Sequence, residues 1–482
     1  MWRARIPLGG QNLDWISGAF ATFAVVEHEI MMFALAGLLI GGIDDFLMDM
    51  LFLVRYGWRR LFVYTRHPRM TGATLPAADH PGALALFIPA WDESNVIGAM
   101  LRTCLDRWPR EDIRLFVGTY PNDPATIRIV AAIAQQDPRV QLVILPHPGG
   151  TTKADCLNHL WPAMLREEEA SGRRFKGILL HDAEDVVHAD EIRLFDRMIE
   201  RFDMVQLPVR PLLSPRSRWI AGHYADEFAE AHSRTLVLRE AIGAAVPSAG
   251  VGCCFARDRL ERIARERGGL LFDPASLTED YEIGLAIREQ GGRTAFVTML
   301  DAQGDLICTQ EYFPEKLKDA LNQKARWLVG IALAGWDRLG WHGSLRERWM
   351  RLHDRRSALA AIILFAGYCA FLGYGLLLIG RGLGLAPAMP PSPMMDIALR
   401  ITFWLMAWRL ACRAFWTTRV YGWRQGAIAI PRTIVANIIM ILAIRRAIHR
   451  YFRQLTDGVI RWEKTHHHFP DPSAIQPHAT PA

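Results

Sequence analysis

The chain has 482 residues, of which 51% are hydrophobic and 22% charged, and its formal net charge is +6. Because this length is too great for one compact core and the apolar content is high, at least two structural units are expected, and a disordered or collagen-like chain is excluded. A mean hydropathy of +0.07 predicts a soluble domain joined to a few membrane segments. The seven cysteines include no CxxC pair and predict reduced thiols rather than a disulfide framework or a zinc cluster.

The N-terminal region is apolar from Trp15 to Val54 but contains several acidic residues. It predicts one membrane span near residues 25–46, followed by an amphipathic helix at the interface. No signal-peptide cleavage site follows the apolar run. Five arginines without an intervening acid come next and place that end of the span in the cytoplasm; they are Arg55, Arg59, Arg60, Arg66 and Arg69.

From residue 83 onward, short apolar runs alternate with amphipathic stretches. Strands are predicted at 83–90, 113–119, 140–145 and 177–181, and helices near 95–107, 125–136, 153–169 and 189–201. This order predicts an α/β domain with a parallel sheet covered by helices on both faces. Ligands of such sheets bind beyond the carboxyl ends of the strands. The residues that follow each strand are therefore candidates for a functional site.

Acidic residues follow three of the four strands, and a glycine turn with a lysine follows the other. These residues are, in strand order, Asp92 with Glu93, Asp123, Lys153 after Gly149-Gly150, and Asp182-Ala183-Glu184-Asp185. One acid after a strand is usually a helix N-cap, but several at one edge predict a cleft. The carboxylates of 182–185 repel one another unless a cation offsets their charge. They suit Mg²⁺ or Mn²⁺ shared with substrate phosphates; the alternative is a solvated acidic turn.

Two further motifs follow in the second half of this region. Gly250-Val251-Gly252-Cys253-Cys254 is predicted to be a turn of small residues, which either permits close approach of a substrate or is simply a tight bend. Thr278-Glu279-Asp280 opens a helix with Thr278 as its N-cap. Asp280 either favours the helix dipole or serves as a general base beside a metal–diphosphate site.

Gln323, Arg326 and Trp327 share one face of a helix that follows Pro314. A guanidinium group pairs with phosphate oxygens, and an indole stacks on a sugar ring. Taken alone, the pattern is also typical of a helix packed at the membrane surface. Its position after the other motifs favours a role in diphosphate and acceptor binding.

Two more spans are predicted, at 357–380 and at about 397–415. The segment 427–444 is predicted to lie at the interface, because a fourth span would put an arginine-rich tail outside the membrane. Three spans place the N-terminus outside and residues 70–345 in the cytoplasm.

The predicted organisation has four parts. Transmembrane and interfacial helices occupy 1–70, the cytoplasmic domain 71–345, a transmembrane pair with an interfacial helix 346–464, and a disordered tail 465–482. His466–His468 either belong to that tail as a solvated linker or bind a metal.

These motifs, in this order, resemble the family 2 glycosyltransferases of the processive type, which include cellulose- and chitin-synthase-like membrane enzymes. The resemblance covers roughly residues 83–345. The family's motifs stand here as Asp92-Glu93, Asp123, Asp182-Ala183-Glu184-Asp185, Thr278-Glu279-Asp280 and Gln323-Lys324-Ala325-Arg326-Trp327. Two positions depart from the pattern: the third position of the D-x-D motif is Glu184, so either Glu184 or Asp185 holds the metal, and Asn122 leaves only Asp123 for the nucleotide. The chain looks most like the bacterial NfrB-type inner-membrane glycosyltransferases.

The resemblance implies a GT-A-type fold, with a parallel-rich sheet and flanking helices, plus about three transmembrane helices and interfacial helices. It implies inverting, metal-dependent transfer from a UDP-sugar in the bacterial inner membrane, with the catalytic domain in the cytoplasm. The implied residues are Asp92, Glu93, Asp123, Lys153, Asp182 and Gly252 for the nucleotide sugar; Asp182 with Glu184 or Asp185 for Mg²⁺ or Mn²⁺; Asp280 with Glu279 and Thr278 for catalysis; and Gln323, Arg326 and Trp327 for the diphosphate and acceptor.

The expected acceptor is a hydroxyl of a growing or lipid-linked glycan, because a hydroxyl needs a base and a polyprenyl phosphate does not. Priming transfer to polyprenyl phosphate is the alternative within the enzyme class. A catalytically silent membrane scaffold or receptor for an envelope partner protein is the alternative outside it. The arginine clusters flank apolar runs, which favours membrane lipids over nucleic acid as partners. NfrB-type proteins often carry a C-terminal cyclic-di-GMP-responsive module, and such control has no support in this sequence.

Overall fold

The computed structural model describes residues 10–388, 390–457 and 468–470. The chain divides into two compact units, one made of Met1–Met50 with Arg356–Ala411 and the other of Leu51–Arg355 with Cys412–Ala482. Most of the predicted tail, including His466 and His467, lies outside the described residues.

The strands and helices are numbered here along the chain. The strands are β1 (Leu84–Pro89), β2 (Ile113–Thr119), β3 (Val140–Ile144), β4 (Gly177–Leu180), β5 (Met204–Gln206), β6 (Val209–Pro211), β7 (Cys253–Ala256), β8 (Thr294–Phe296) and β9 (Thr309–Glu311). The helices are α1 (Gly10–Trp58), α2 (Ile97–Arg107), α3 (Pro124–Ala134), α4 (Lys153–Ser171), α5 (Glu191–Met198), α6 (Ile220–Glu230), α7 (Leu236–Ala241), α8 (Arg257–Glu266), α9 (Glu279–Glu289), α10 (Leu317–Trp327), α11 (Ala334–Leu339), α12 (Leu345–Arg355), α13 (Ser357–Gly382), α14 (Pro393–Tyr421) and α15 (Trp423–Asp457).

A seven-stranded sheet in the order β3-β2-β1-β4-β7-β5-β8 forms the centre of the second unit. Strands β1 to β4 are parallel, as predicted, whereas β7 runs antiparallel between β4 and β5. Because Leu180 pairs with Cys253, the two cysteines belong to β7, and only residues 250–252 form the predicted turn. The prediction of a parallel-rich α/β sheet is confirmed, and its antiparallel strand was missed.

Side chains of β1 alternate between two apolar clusters, one on each face of the sheet. Leu84, Leu86 and Ile88 join the cluster formed with α2 and α5, and Ala85 and Phe87 join the cluster formed with α4 and α8. Every residue of β1 is buried. A strand buried on both faces reads as a continuous apolar run, which is why the sequence located it well.

A second sheet consists of β6 and β9, which pair in parallel. An antiparallel bridge joins Val186 to Gln310, so β9 lies beside the segment that follows β4. This small sheet brings Glu311, from late in the chain, to the loop that carries residues 182–185.

Helix α1 is continuous over 49 residues, whereas the sequence predicted a span followed by a separate interfacial helix. Two of its acidic residues have partners within the first unit and do not end the helix. Asp44 lies 2.9 Å from Arg356, and Asp49 accepts a hydrogen bond of 2.8 Å from the Trp408 indole.

Three helices of the described residues are long and apolar enough to cross a membrane, at Trp15–Val63, Ser357–Gly382 and Trp423–Thr456. The first two contain the predicted spans at 25–46 and 357–380. The third contains 427–444, which was predicted to be interfacial. Helix α14, which holds the predicted span at 397–415, is not one of the three.

Length and composition do not decide whether α15 crosses a membrane. Arg432 of α15 is 1% exposed, and its guanidinium donates to both carboxylate oxygens of Asp226 in α6, at 2.7 and 2.9 Å. Helix α15, which belongs to the second unit, therefore packs against α6 through a buried ion pair, and its interfacial position stays a prediction.

Candidate active site

The loop after β1 is cross-linked to the loop after β2. The Asp92 amide donates to Asp123 Oδ2, and the Glu93 amide donates to Thr126 Oγ1 at 3.0 Å. Asp123 also caps α3 by accepting from the Thr126 amide at 3.2 Å. The carboxylate of Asp123 therefore organises the two strand ends, which the sequence analysis did not predict.

Asp92 has a φ of 56° and is the only non-glycine residue with a positive φ among those the structure describes. An aspartate in this region costs backbone energy that the surrounding structure must offset. Such outliers cluster at ligand-binding sites. The conformation marks Asp92 as a candidate contact residue at the sheet edge.

Trp91 packs against the glycine turn that follows β3. A Cβ added at Gly149 would lie 2.5 Å from the Trp91 ring, so a larger side chain does not fit there. The Gly149 amide donates to Asn122 Oδ1 at 2.7 Å. Asn122, the departure from the family's double Asp, thus holds the turn that leads into α4 and Lys153.

Lys153 and the glycine turn at 250–252 lie between the carboxylates of two distant motifs, Asp182 and Asp280. Lys153 Nζ lies 2.5 Å from Asp182 Oδ1 and donates to the Gly250 carbonyl at 3.3 Å. A Cβ added at Gly250 would lie 2.5 Å from Asp280 Oδ2, so the Asp280 carboxylate rests on that turn. Gly250 has a φ of 77°, which also favours glycine. The structure therefore brings Lys153, Asp182 and Asp280 together, as predicted, at one partly exposed site that is called the cleft below.

Burial and charge set the protonation of this cleft. Burial raises the pKa of Asp280, which the nearby Lys153 and Arg326 counteract. Burial and the neighbouring Asp280 raise the pKa of Glu279 to about 7. Burial alone lowers the pKa of Lys153, but Asp182, Glu279 and Asp280 raise it above its usual range. The lysine is therefore charged, and the Glu279 carboxyl is poised to exchange a proton near neutral pH.

Asp185 has surroundings different from those of Asp182. Its Oδ2 accepts from His181 Nδ1 at 2.8 Å and from the Asp182 amide at 3.0 Å, and Glu191 contacts His181 Nε2 at 2.6 Å. Burial lowers the pKa of His181, but Glu191 and Asp185 raise it to about 10, so the imidazole is a buried cation between two carboxylates. Burial raises the pKa of Asp185 to about 6.

Glu311 is a carboxylate that the sequence analysis missed. The bridge between Val186 and Gln310 places it opposite Asp185. Burial and the carboxylates of Asp185, Glu184 and Asp182 raise the pKa of Glu311 well above its usual range. Nothing in the sequence near Glu311 indicates that it lies beside Asp185, because the pairing joins segments more than a hundred residues apart.

Gln206 was also missed. Its amide donates to the carbonyls of Leu207, Val251 and Gly252, and its Oε1 accepts from the Ala249 amide at 2.8 Å. Gly252 has a φ of 57°, and a Cβ there would lie 2.2 Å from Thr309 Oγ1. A polar residue ending the apolar strand β5 was the available signal for this clamp on the 250–252 turn.

The Gln323, Arg326 and Trp327 face of α10 borders an aromatic cluster. The Trp327 ring lies 6.0 Å from Tyr224 and 6.5 Å from Phe228, centroid to centroid. Gln323 Oε1 and Arg326 Nε are buried without a hydrogen-bond partner within the described part of the chain. Buried polar atoms of this kind are rare and call for a ligand or water.

Thr278 precedes α9 but its side chain does not cap the helix. Its hydroxyl is buried without a partner among the described residues, and it packs against Gly330, where a Cβ would lie 2.4 Å away. Thr278 therefore occupies the predicted N-cap position, but its side chain makes no capping hydrogen bond and packs against the 328–333 segment instead.

Residues 81–330, more than half of the chain, match the family described as "Glycosyltransferase like family 2". The chain belongs to glycosyltransferase family 2. The matched region of this glycosyltransferase contains the sheet and the cleft described above. The predicted resemblance is confirmed.

Two curated relatives come from Escherichia coli: bacteriophage adsorption protein B of strain K12 and bacteriophage N4 adsorption protein B of O157:H7. Each is 34% identical over 479 residues, covering 95% of this chain and 64% of the relative. The glycosyltransferase thus spans 64% of the length of these relatives. They confirm the predicted likeness to NfrB-type proteins.

A solved structure of similar fold is the mannosyltransferase PcManGT from Pyrobaculum calidifontis, in complex with GDP-Man and Mn²⁺. The TM-score is 0.50 at 15% identity, covering 85% of this chain and 99% of that one. At this identity the likeness shows the fold, and it confirms the predicted GT-A type. Together with the long apolar helices, this likeness indicates a membrane glycosyltransferase of GT-A fold.

Proposed function

We propose that this enzyme transfers a sugar, with inversion, from a UDP-sugar to a hydroxyl of a growing or lipid-linked glycan at the cytoplasmic face of the bacterial inner membrane. One observation carries the proposal. The ammonium group of Lys153 lies against Asp182, and the same lysine contacts the Gly250 turn on which the Asp280 carboxylate rests. A charged cleft in which cation and carboxylates already neutralise one another suits a diphosphate leaving group and a base.

The donor is proposed to lie along the carboxyl ends of β1, β2 and β4. Asp92 and Glu93, on the loop with the positive φ, contact the nucleoside, and Asp123 holds that loop in place. Lys153 pairs with the diphosphate. The small residues at 250–252 allow the sugar to approach Asp280 closely.

Asp280 is the proposed general base. It takes the proton from the acceptor hydroxyl, whose oxygen attacks the anomeric carbon as the bond to the diphosphate breaks. Its raised pKa brings a carboxylate closer to the working pH, which improves proton transfer. Glu279 and Thr278 position the start of α9, and Gln323, Arg326 and Trp327 hold the diphosphate and the acceptor sugar.

The donor set near residues 182–185 fits a divalent cation, because it consists of carboxylate oxygens only, and Mg²⁺ and Mn²⁺ prefer oxygen ligands. When bound, such an ion offsets negative charge on the leaving diphosphate. We propose Asp182 and Glu184 as the ligands. Asp185 Oδ2 already accepts two hydrogen bonds and its side chain is fully enclosed beside His181, which argues against Asp185 as the first choice.

The experiment compares Asp280→Asn with Asp258→Asn in detergent-purified full-length protein. Both residues are second in their helices, α9 and α8, but the Asp258 side chain is 71% exposed and pairs with Arg174. We expect Asp280→Asn to reduce sugar transfer by about 100- to 10,000-fold, the usual contribution of a general base. UDP-sugar binding is expected to persist, and Asp258→Asn is expected to retain wild-type activity.

The donor and the acceptor are identified with the same preparation of purified protein. A panel of UDP- and GDP-sugars with Mn²⁺ or Mg²⁺ identifies the donor, and mass analysis of membrane lipids counts the sugars added. Several added residues support a growing glycan, and a single residue on polyprenyl phosphate supports priming instead. Wild-type turnover in Asp280→Asn would remove the base assignment.

A further inference from the structure

A cluster of two imidazoles and one carboxylate lies where β3 passes into α4, outside the cleft. His147 follows β3, Asp155 lies in the first turn of α4, and His159 is one turn further along that helix. One ligand atom from each of the three lies within 4.8 Å of the other two. The three side chains are 37%, 21% and 33% exposed, in that order, so an ion can reach them from solvent.

Both histidines approach the same oxygen. His147 Nε2 lies 3.5 Å and His159 Nδ1 3.7 Å from Asp155 Oδ1. Two ligands of a tetrahedral zinc ion are about 3.3 to 3.5 Å apart, given bonds of about 2.0 to 2.2 Å. The two distances to Asp155 Oδ1 therefore exceed this ligand spacing by no more than a few tenths of an ångström, and the imidazole nitrogens lie within 4.8 Å of each other.

The other oxygen of Asp155 is fixed by its neighbours. Asp155 Oδ2 accepts from Thr151 Oγ1 at 2.7 Å and from the Tyr120 hydroxyl at 3.4 Å, and these two hydroxyls lie 2.9 Å apart. Hydrogen bonds of this kind orient a metal-binding carboxylate and are typical of protein metal sites. They leave Oδ1 directed at the imidazoles.

The tautomer of His147 fits a cation, and His159 must exchange a hydrogen bond for one. His147 Nδ1 lies 3.3 Å from the Pro148 carbonyl, and donation to that carbonyl leaves the Nε2 lone pair facing Asp155 Oδ1. Two acceptors in this position repel unless a proton or a metal ion lies between them. His159 Nδ1 lies 2.9 Å from the Asp155 carbonyl and donates to it in this structure, so metal binding through Nδ1 replaces that hydrogen bond, and the carbonyl keeps its helix hydrogen bond.

We propose that His147, Asp155 and His159 form a second metal site, with one open position, for a nitrogen-preferring divalent ion of the Zn²⁺ class. Two imidazole ligands select such ions over Mg²⁺, which the oxygen-only cleft favours. The site joins the segment after β3 to α4, whose first residue is Lys153. Metal bound there stabilises the glycine turn that Trp91 covers.

The test uses metal-free full-length protein purified without a histidine tag and titrated with Zn²⁺ against a chromophoric chelator. We expect one Zn²⁺ per chain, a rise in melting temperature, and tetrahedral Co²⁺ absorption bands. His147→Gln or His159→Gln is expected to weaken Zn²⁺ binding at least tenfold and abolish the rise, since even loss of an orienting hydrogen bond costs about 10- to 100-fold. An excess of Mg²⁺ is expected not to displace Zn²⁺.

Two controls separate this site from other histidines. His80→Gln changes an exposed imidazole elsewhere in the same unit, and a triple His466/His467/His468→Gln variant removes the histidines near the C-terminus. Both are expected to bind Zn²⁺ as the wild type does. Absence of Zn²⁺ binding in the wild type, or binding that survives His147→Gln and His159→Gln and disappears in the triple variant, would overturn the proposal. The melting temperatures of the metal-free variants show that each is folded.

Discussion

Asp182 and Asp185 lie three residues apart in one turn, yet they occupy opposite environments. The Asp182 side chain is 32% exposed and contacts the Lys153 ammonium at the mouth of the cleft. Asp185 is fully buried and shares the His181 imidazolium with Glu191. One short acidic motif thus contains both a group that is accessible to ligands and a group that holds the turn together, and residue type alone does not separate them.

The largest expected effect is a loss of stability when the buried surroundings of Asp185 are changed. His181→Leu leaves Asp185 and Glu191 buried without their cation, and breaking a buried ion pair in this way costs about 3 to 5 kcal/mol. Thermal unfolding in detergent measures the change, with His80→Leu, at an exposed position, as the control. Equal unfolding temperatures for His181→Leu and the wild type would contradict the account of an imidazolium that holds the turn.

On the accessible side, Asp182→Asn is expected to reduce sugar transfer by about 100-fold or more, the usual loss when one electrostatic group of a reacting site is removed. Its unfolding temperature is expected to stay close to that of the wild type, because the side chain is partly exposed. Steady-state rates and unfolding curves of the same preparation give both values. A variant that unfolds early but transfers normally would reverse the comparison.

Lys153→Gln tests the electrostatics between Asp182 and Asp280. Lys153 lowers the pKa values of Glu279 and Asp280 against the effect of burial. Without it, both carboxyls stay protonated to higher pH, so the acid limb of the kcat/KM profile is expected to move to higher pH. The control is the profile of Lys176→Gln, which changes a lysine that directly precedes β4 and pairs with Asp196. An unmoved limb would show that Lys153 does not act on the base.

Asp92→Gly gives the smallest expected effect on stability. Glycine adopts the φ of 56° without strain, so unfolding is expected to be unchanged or to require about 1 kcal/mol more. Donor affinity is expected to fall, because the carboxylate is lost. Isothermal titration with the donor and an unfolding curve separate the two effects, and a destabilised variant with full affinity would contradict a contact role for Asp92.

Patterns within short segments predicted the sheet well. Strands β1 to β4 and helices α2 to α5 lie close to their predicted positions, because buried strands and amphipathic helices leave local periodic signals. The order of strand ends also predicted that Lys153 and Asp182 meet, and the family resemblance implied that Asp280 joins them. The continuity of helix α1 was not predicted, because its acidic residues were expected to end the membrane span. Asp44 instead pairs with Arg356, a residue far along the chain.

The parts of the site that were missed depend on long-range pairing. Glu311 reaches Asp185 through one bridge between distant segments, and Gln206 reaches the 250–252 turn through its side-chain amide. The hydrogen bonds from backbone amides to the Asp123 carboxylate were not predicted, and its contact with the nucleotide stays a prediction. Such contacts leave no periodic signal in a single sequence. Asp185 is enclosed beside His181, and which of Glu184 and Asp185 holds a metal ion stays a prediction.

The central claim is that Asp182 and Asp280 serve one nucleotide-sugar site. The most direct measurement is a structure of Asp280→Asn, which is expected to turn over slowly, with a UDP-sugar and Mn²⁺. The account predicts the diphosphate between Lys153 and Arg326, with the anomeric carbon directed at position 280. A donor bound away from Asp182, or with its sugar directed away from α9, would contradict it.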